Sequence, residues 1–99
     1  MIHFTRTSSI APGKMADAMT FAAEMVEYIG TAHGQKMTLM VPVGGNPHRV
    51  CWYSAYDNLG EMEKSQVKLL ADPKYLALLG KAATLFIAGS ANDEMWRDL

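Results

Sequence analysis

Residues 36–57 read KMTLMVPVGGNPHRVCWYSAYD, and this stretch decides the fold. It predicts two β-strands joined by a tight turn at Gly44-Gly45-Asn46-Pro47, residue types that tolerate positive φ or pre-set a bend. In the second strand Val50, Trp52 and Tyr56 share one parity, with His48 at its start. Cys51, Tyr53 and Ala55 share the other. A sheet covered on one side alternates apolar and polar residues along each strand. Here both faces are apolar, so both need a cover. A chain of 99 residues has helices enough for one, which assigns the second cover to another copy of the same sheet. Pro42, falling within the first strand, removes a backbone donor and places that strand at a sheet edge.

Upstream, residues 2–9 (IHFTRTSS) carry the β-branched and aromatic content of a strand, with Ile2, Phe4, Arg6 and Ser8 on one parity. Ala11-Pro12-Gly13 ends it. From Lys14 the period becomes helical: Met15, Met19, Ala22, Val26 and Ile29 recur every three or four residues, and Gly30 or Gly34 stops the helix. Downstream, Asn58-Leu59-Gly60-Glu61 predicts an N-cap with a carboxylate three residues on. The helix that follows is interrupted by Asp72-Pro73, itself a cap and first-turn pair for a second helical piece. That piece has an apolar face of Tyr75, Leu76, Leu79 and Ala83. Residues 84–90 are ambiguous: Leu85, Phe86 and Ile87 are apolar, but Gly89-Ser90 breaks the run. The tail ANDEMWRDL reads as a last strand, with a helix as the competing assignment. The order is β-α-β-β-α-β, a single α+β domain over residues 1–99 with a ferredoxin-like antiparallel sheet. A partner's sheet would close a dimeric α/β barrel.

With these elements in place, three runs of residues resemble a known family. Arg6-Thr7-Ser8-Ser9-Ile10-Ala11-Pro12-Gly13-Lys14 resembles the strand–Pro-Gly-Lys–helix opening of NIPSNAP-type proteins, part of the dimeric α/β-barrel group. Tyr56-Asp57-Asn58-Leu59 and Asp72-Pro73-Lys74-Tyr75 resemble that family's tyrosine-containing strand end and its later Asp-Pro-aromatic step. The resemblance implies a homodimer. It does not imply one activity, since the barrel group includes cofactor-independent monooxygenases, haem-degrading enzymes and proteins with no assigned reaction.

Composition narrows the function classes. A formal net charge of −1 without a basic cluster gives nucleic acid no electrostatic footing. No apolar run is long enough to span a membrane, and the N-terminus lacks the pattern of a signal peptide. A lone Cys51 fits a reducing compartment, so the expected location is cytoplasmic. No Gly-rich phosphate loop, paired-carboxylate motif or metal-ligand spacing occurs, and no cofactor or metal is expected.

Four residues remain as candidates for chemistry. His33 follows the first helix, where a histidine caps the last carbonyls; it is also the candidate base, because it titrates near neutrality. Trp52 and Tyr56 share a strand face and would line a pocket for a flat ligand, or simply pack the core. Arg6 shares the parity of Ile2 and Phe4, so its charge needs either an internal carboxylate or the acid group or enolate of a substrate. The expected function is a homodimeric protein binding a small apolar or aromatic molecule. The alternative is a cofactor-independent monooxygenase or isomerase on an aromatic or polyketide-like substrate, with His33 as base and Arg6 or Trp52 positioning the substrate. Haem binding or degradation, through His33 or His48, is a third reading.

Overall fold

The structure, a computed structural model, describes residues 1–99. Its elements run β1 (Ile2–Ser9), α1 (Met15–His33), β2 (Thr38–Met40), β3 (Arg49–Tyr56), α2 (Leu59–Leu70), α3 (Pro73–Gly80), a short 3-10 turn (Lys81–Thr84) and β4 (Asn92–Arg97). The strands form one antiparallel sheet in the order β2-β3-β1-β4. This is the ferredoxin-like arrangement, with the second helix split at Asp72-Pro73 and the tail folded as a strand.

Each helix begins and ends where local chemistry requires. The Asn58 side chain accepts from the Glu61 amide at 2.9 Å, and that of Asp72 accepts from the Lys74 amide at 2.9 Å, so each satisfies a donor that its helix leaves unpaired. Pro73 occupies the first turn of α3, where its missing N–H is harmless. At the end of α1 the chain turns at Gly34, which takes φ 67° and returns its amide to the Gly30 carbonyl. Gly30 itself stays inside the helix.

Four expectations need correction. The β2–β3 connection is a loop over residues 41–48 rather than a tight turn, because β2 ends at Met40. Pro42 therefore lies just outside β2 instead of within it. β2 is nonetheless an edge strand, and a residue without an amide donor helps to end it there. Finally, the buried stripe of α1 is Ala18, Phe21, Ala22, Met25 and Ile29. Met15 is exposed, and Met19 and Val26 lie at the stripe's margin, so the seam is rotated from the expected one. Phe21, the largest apolar side chain in the helix, sets that rotation by packing edge-on against Trp52 and Phe86. Likewise Leu76 and Ala83 are exposed, and Tyr75 alone in α3 is buried.

Strand parity is as expected. Val50, Trp52 and Ser54 of β3 point toward the helices and are buried, with Ile2, Phe4 and Ser8 of β1 beside them. The main core joins α1, Val50, Trp52, Ile10 and Tyr75; a smaller cluster joins Ile2, Phe4 and Met62. On the opposite face, Cys51, Tyr53, Ala55, Thr5 and His3 are only partly covered, and Trp96 on β4 is exposed. No helix is long and apolar enough to cross a membrane.

Candidate functional site

Between the sheet and the helices lies an open cavity of about 550 Å³. Residues of both core clusters border it. On the sheet side its floor carries Phe4, Arg6, Ser8, Trp52, Ser54 and Tyr56. The helical wall includes Phe21, Met25 and Ile29 of α1, Leu69 of α2, and Tyr75 and Leu79 of α3. The gap follows from the sequence: within α2 only Met62 is fully buried, and the sheet below presents two serines between its larger side chains. Small floor residues under a loosely seated helix leave space rather than core.

The lining is mainly apolar with a few placed polar groups, the usual character of a small-molecule site. Ser54, buried, donates its hydroxyl to the Tyr56 oxygen at 3.3 Å. The Trp52 indole N–H donates to the Ala22 carbonyl at 3.4 Å, which fixes the ring against α1. At the β1–β4 side, Arg6 and Asp93 are cross-strand register partners. The Arg6 guanidinium donates from Nε and Nη2 to the two Asp93 carboxylate oxygens, at 2.6 and 2.8 Å. This fork geometry is the strong form of the pair. It raises the arginine pKa above its ordinary value against the opposing effect of burial, with a smaller contribution from Tyr75. The guanidinium carbon also lies 5.9 Å from the centre of the Phe4 ring.

Of the four residues singled out in the sequence, Arg6, Trp52 and Tyr56 converge on this cavity. His33 does not line it. Its Nε2 lies 2.8 Å from Oδ2 of Asp72, and the Tyr28 hydroxyl donates to the same oxygen at 2.5 Å. These bonds, the tyrosine's first and the histidine's next, hold the Asp72 carboxyl down at about 2, and conversely raise the tyrosine pKa. His33 instead borders a second, polar pocket of about 280 Å³ with Lys64, Lys68 and Glu61; the two pockets share Gln35 and Tyr56. His48 sits in the exposed β2–β3 loop, away from both pockets.

Phe4, Ser54, Tyr75 and Asp93 belong to the cavity but were not marked by the sequence. Phe4 and Ser54 share parity with residues that were. Tyr75 stood on the expected apolar face of α3. Asp93 carried no signal, since only the β4 register sets it against Arg6. On the far sheet face His3 bridges Tyr53 and Asp98, with Nδ1 2.5 Å from the tyrosine oxygen and Nε2 2.6 Å from Oδ1 of the aspartate. Cys51 lies on that face too, and partial burial raises its thiol pKa against the opposing effect of Arg49.

No protein-family model matches the chain, and no curated protein matches it in sequence. Solved structures do match its fold. An uncharacterised NIPSNAP domain protein from Burkholderia xenovorans superposes with a TM-score of 0.84 at 18% identity, covering 100% of this chain and 95% of that one. A NIPSNAP family protein of unknown function from Agrobacterium tumefaciens gives 0.82 at 18% identity, over 99% and 87% of the two chains. A candidate antibiotic biosynthesis monooxygenase from Deinococcus radiodurans gives 0.73 at 15% identity, over 99% and 92%. The chain thus has the fold of NIPSNAP-type proteins, shared with monooxygenase-type relatives.

Proposed function

We propose that this protein is a homodimeric small-molecule-binding protein whose ligand is a flat, largely apolar molecule held between sheet and helices. One observation carries the reading: a cavity of about 550 Å³ whose apolar wall is interrupted by a few fixed polar groups. Its ionisable lining residues are Arg6, Asp93, Tyr56 and Tyr75, and the one carboxylate among them is taken up by Arg6. Proton abstraction from a substrate needs a base that titrates near working pH and reaches the substrate. The histidine suited to that task is bound to Asp72 outside the cavity. Binding is therefore better supported than the oxygenase or isomerase alternative, which draws its support from the likeness to the Deinococcus radiodurans structure.

The homodimer is supported by the uncovered sheet face. Only 14 of 99 residues are buried, a thin core for a chain that must fold alone. Meanwhile Met40, Cys51, Tyr53, Ala55 and Trp96 share a face that no helix of this chain covers. A second copy of the sheet would bury it around a two-fold axis.

Native mass spectrometry tests both parts together, on the protein as purified and again after adding naphthalene-type ligands. The reading expects a dimer that takes up one ligand per subunit. A monomer at micromolar concentration would remove the assembly, and a dimer that takes up nothing would remove the binding function.

A further inference from the structure

The Arg6–Asp93 pair bears on what kind of ligand the cavity accepts. A lone arginine in an apolar cavity would be a receptor for a carboxylate. Here the guanidinium charge is already matched by Asp93 through two short hydrogen bonds. Nη1 takes part in neither bond; the guanidinium carbon lies beside the Phe4 ring, and Tyr75, which lines the same cavity, also acts on the arginine. The pair is half-exposed at the cavity wall, and the floor and opposite wall around it are mainly aromatic or apolar, with Ser8 and Ser54 among the floor residues. Apart from Arg6 and Asp93 the ionisable groups lining the cavity are two tyrosines.

We propose that Asp93 sets the charge selectivity of the cavity: it admits uncharged aromatic ligands bearing a single hydrogen-bond acceptor, such as a ketone, in preference to the matching carboxylates. This rests on the binding function proposed above and names its ligand class. An entering carbonyl oxygen accepts from the arginine without disturbing the ion pair, and a donor that is ionised makes the stronger bond. An entering carboxylate must shed its water and then sits near a like charge, or displaces Asp93 and leaves that carboxylate unpaired. The aromatic part of either ligand gains equally from the apolar walls, so the difference in affinity isolates the acceptor group.

The experiment is calorimetric titration at pH 7 with naphthalene, 2-acetonaphthone and 2-naphthoate, on the wild type and Asp93→Asn. In the wild type the ketone is expected to bind about tenfold or more tighter than the carboxylate, a difference of about 1.4 kcal/mol. In Asp93→Asn the uncompensated arginine is expected to draw naphthoate in, reversing or abolishing the preference. Equal or tighter naphthoate binding by the wild type overturns the proposal. So does a folded Asp93→Asn with the wild-type preference unchanged. Naphthalene separates the failures: if it binds and the preference is missing, only the selectivity falls; if no probe binds, the cavity's binding function falls with it. If Asp93→Asn does not fold, Asp93→Ser takes its place in the same titrations, with the same reversal expected and an unchanged preference overturning the proposal.

Discussion

His33 and Asp72 tie the end of α1 to the start of α3, with Nε2 of the histidine 2.8 Å from Oδ2 of the aspartate. Tyr28, one turn earlier in α1, donates to the same oxygen, while Oδ1 caps α3 through the Lys74 amide. One carboxylate thus fixes the angle between the helices that form two walls of the cavity. The residue type that suggested proton transfer is used as a fastener.

Acid should loosen this junction first. The Asp72 pKa is held at about 2, below the ordinary carboxylate value of about 4. A carboxyl with a depressed folded-state pKa stabilises the fold fully above its unfolded-state pKa, and that contribution is lost as pH falls through the folded value. The stability difference between wild type and Asp72→Asn should therefore be fully present above pH about 5 and shrink between pH about 4 and 2. Urea unfolding across that range measures it.

His33→Ala should lower the melting temperature by several degrees while leaving the affinity for a naphthyl ligand nearly unchanged, because the side chain touches Asp72 and not the main cavity. Thermal melting and titration on one preparation check both halves. A lost affinity with an unchanged melting temperature would return His33 to the site.

The aromatic contact of Phe21 with Trp52 and Phe86 ties α1 to the sheet and to the segment before β4. Phe21→Ala should cost about 3–5 kcal/mol, as loss of a buried phenyl ring usually does, measured by denaturant unfolding. Gly34→Ala, by contrast, has open space around the added methyl, so its cost is the left-handed backbone alone, about 1–2 kcal/mol.

Filling the cavity should abolish binding without unfolding the protein. Ala82 lines the open space and is only half-buried, so Ala82→Trp can place its ring there. Naphthyl affinity is expected to fall about tenfold or more, read by titration.

On the outer sheet face, Tyr53→Glu puts a charge between Thr5 and Thr38, on the same face as Glu94 two strands away. For the dimer proposed above, sedimentation should show a shift to monomer, since a charge buried at such a two-fold contact would be costly. Wild-type-like association by this variant would move the dimer contact to another surface.

Much of this fold was legible because its signals are local. Strand parity in β3 grouped Val50 with Trp52 without saying which face meets the helices, and Asp72-Pro73 marked the break between α2 and α3. Arg6 was marked as needing a counter-charge, but its partner was not, because Asp93 lies 87 positions away and only the β1–β4 register brings it near. The β2–β3 connection was misjudged because Gly44-Gly45-Asn46-Pro47 signals a bend without setting where pairing stops. The Ala18–Phe21–Met25 seam was shifted because one large ring, not the periodic pattern, chose which side of α1 to bury. The cavity itself was invisible in the sequence: it is space left by Ser8, Ser54 and a loosely packed α2.

The most direct test of the account uses the protein's two tryptophans. Trp52 borders the cavity, and Trp96 stands exposed on the opposite sheet face. Proton NMR of the two indole N–H resonances, assigned by single Trp→Phe substitutions, reports each face during titration with 2-acetonaphthone. The account predicts a saturable shift of the Trp52 signal with little change at Trp96. A Trp52 signal that stays in place at millimolar ligand, or a shift confined to Trp96, would contradict it.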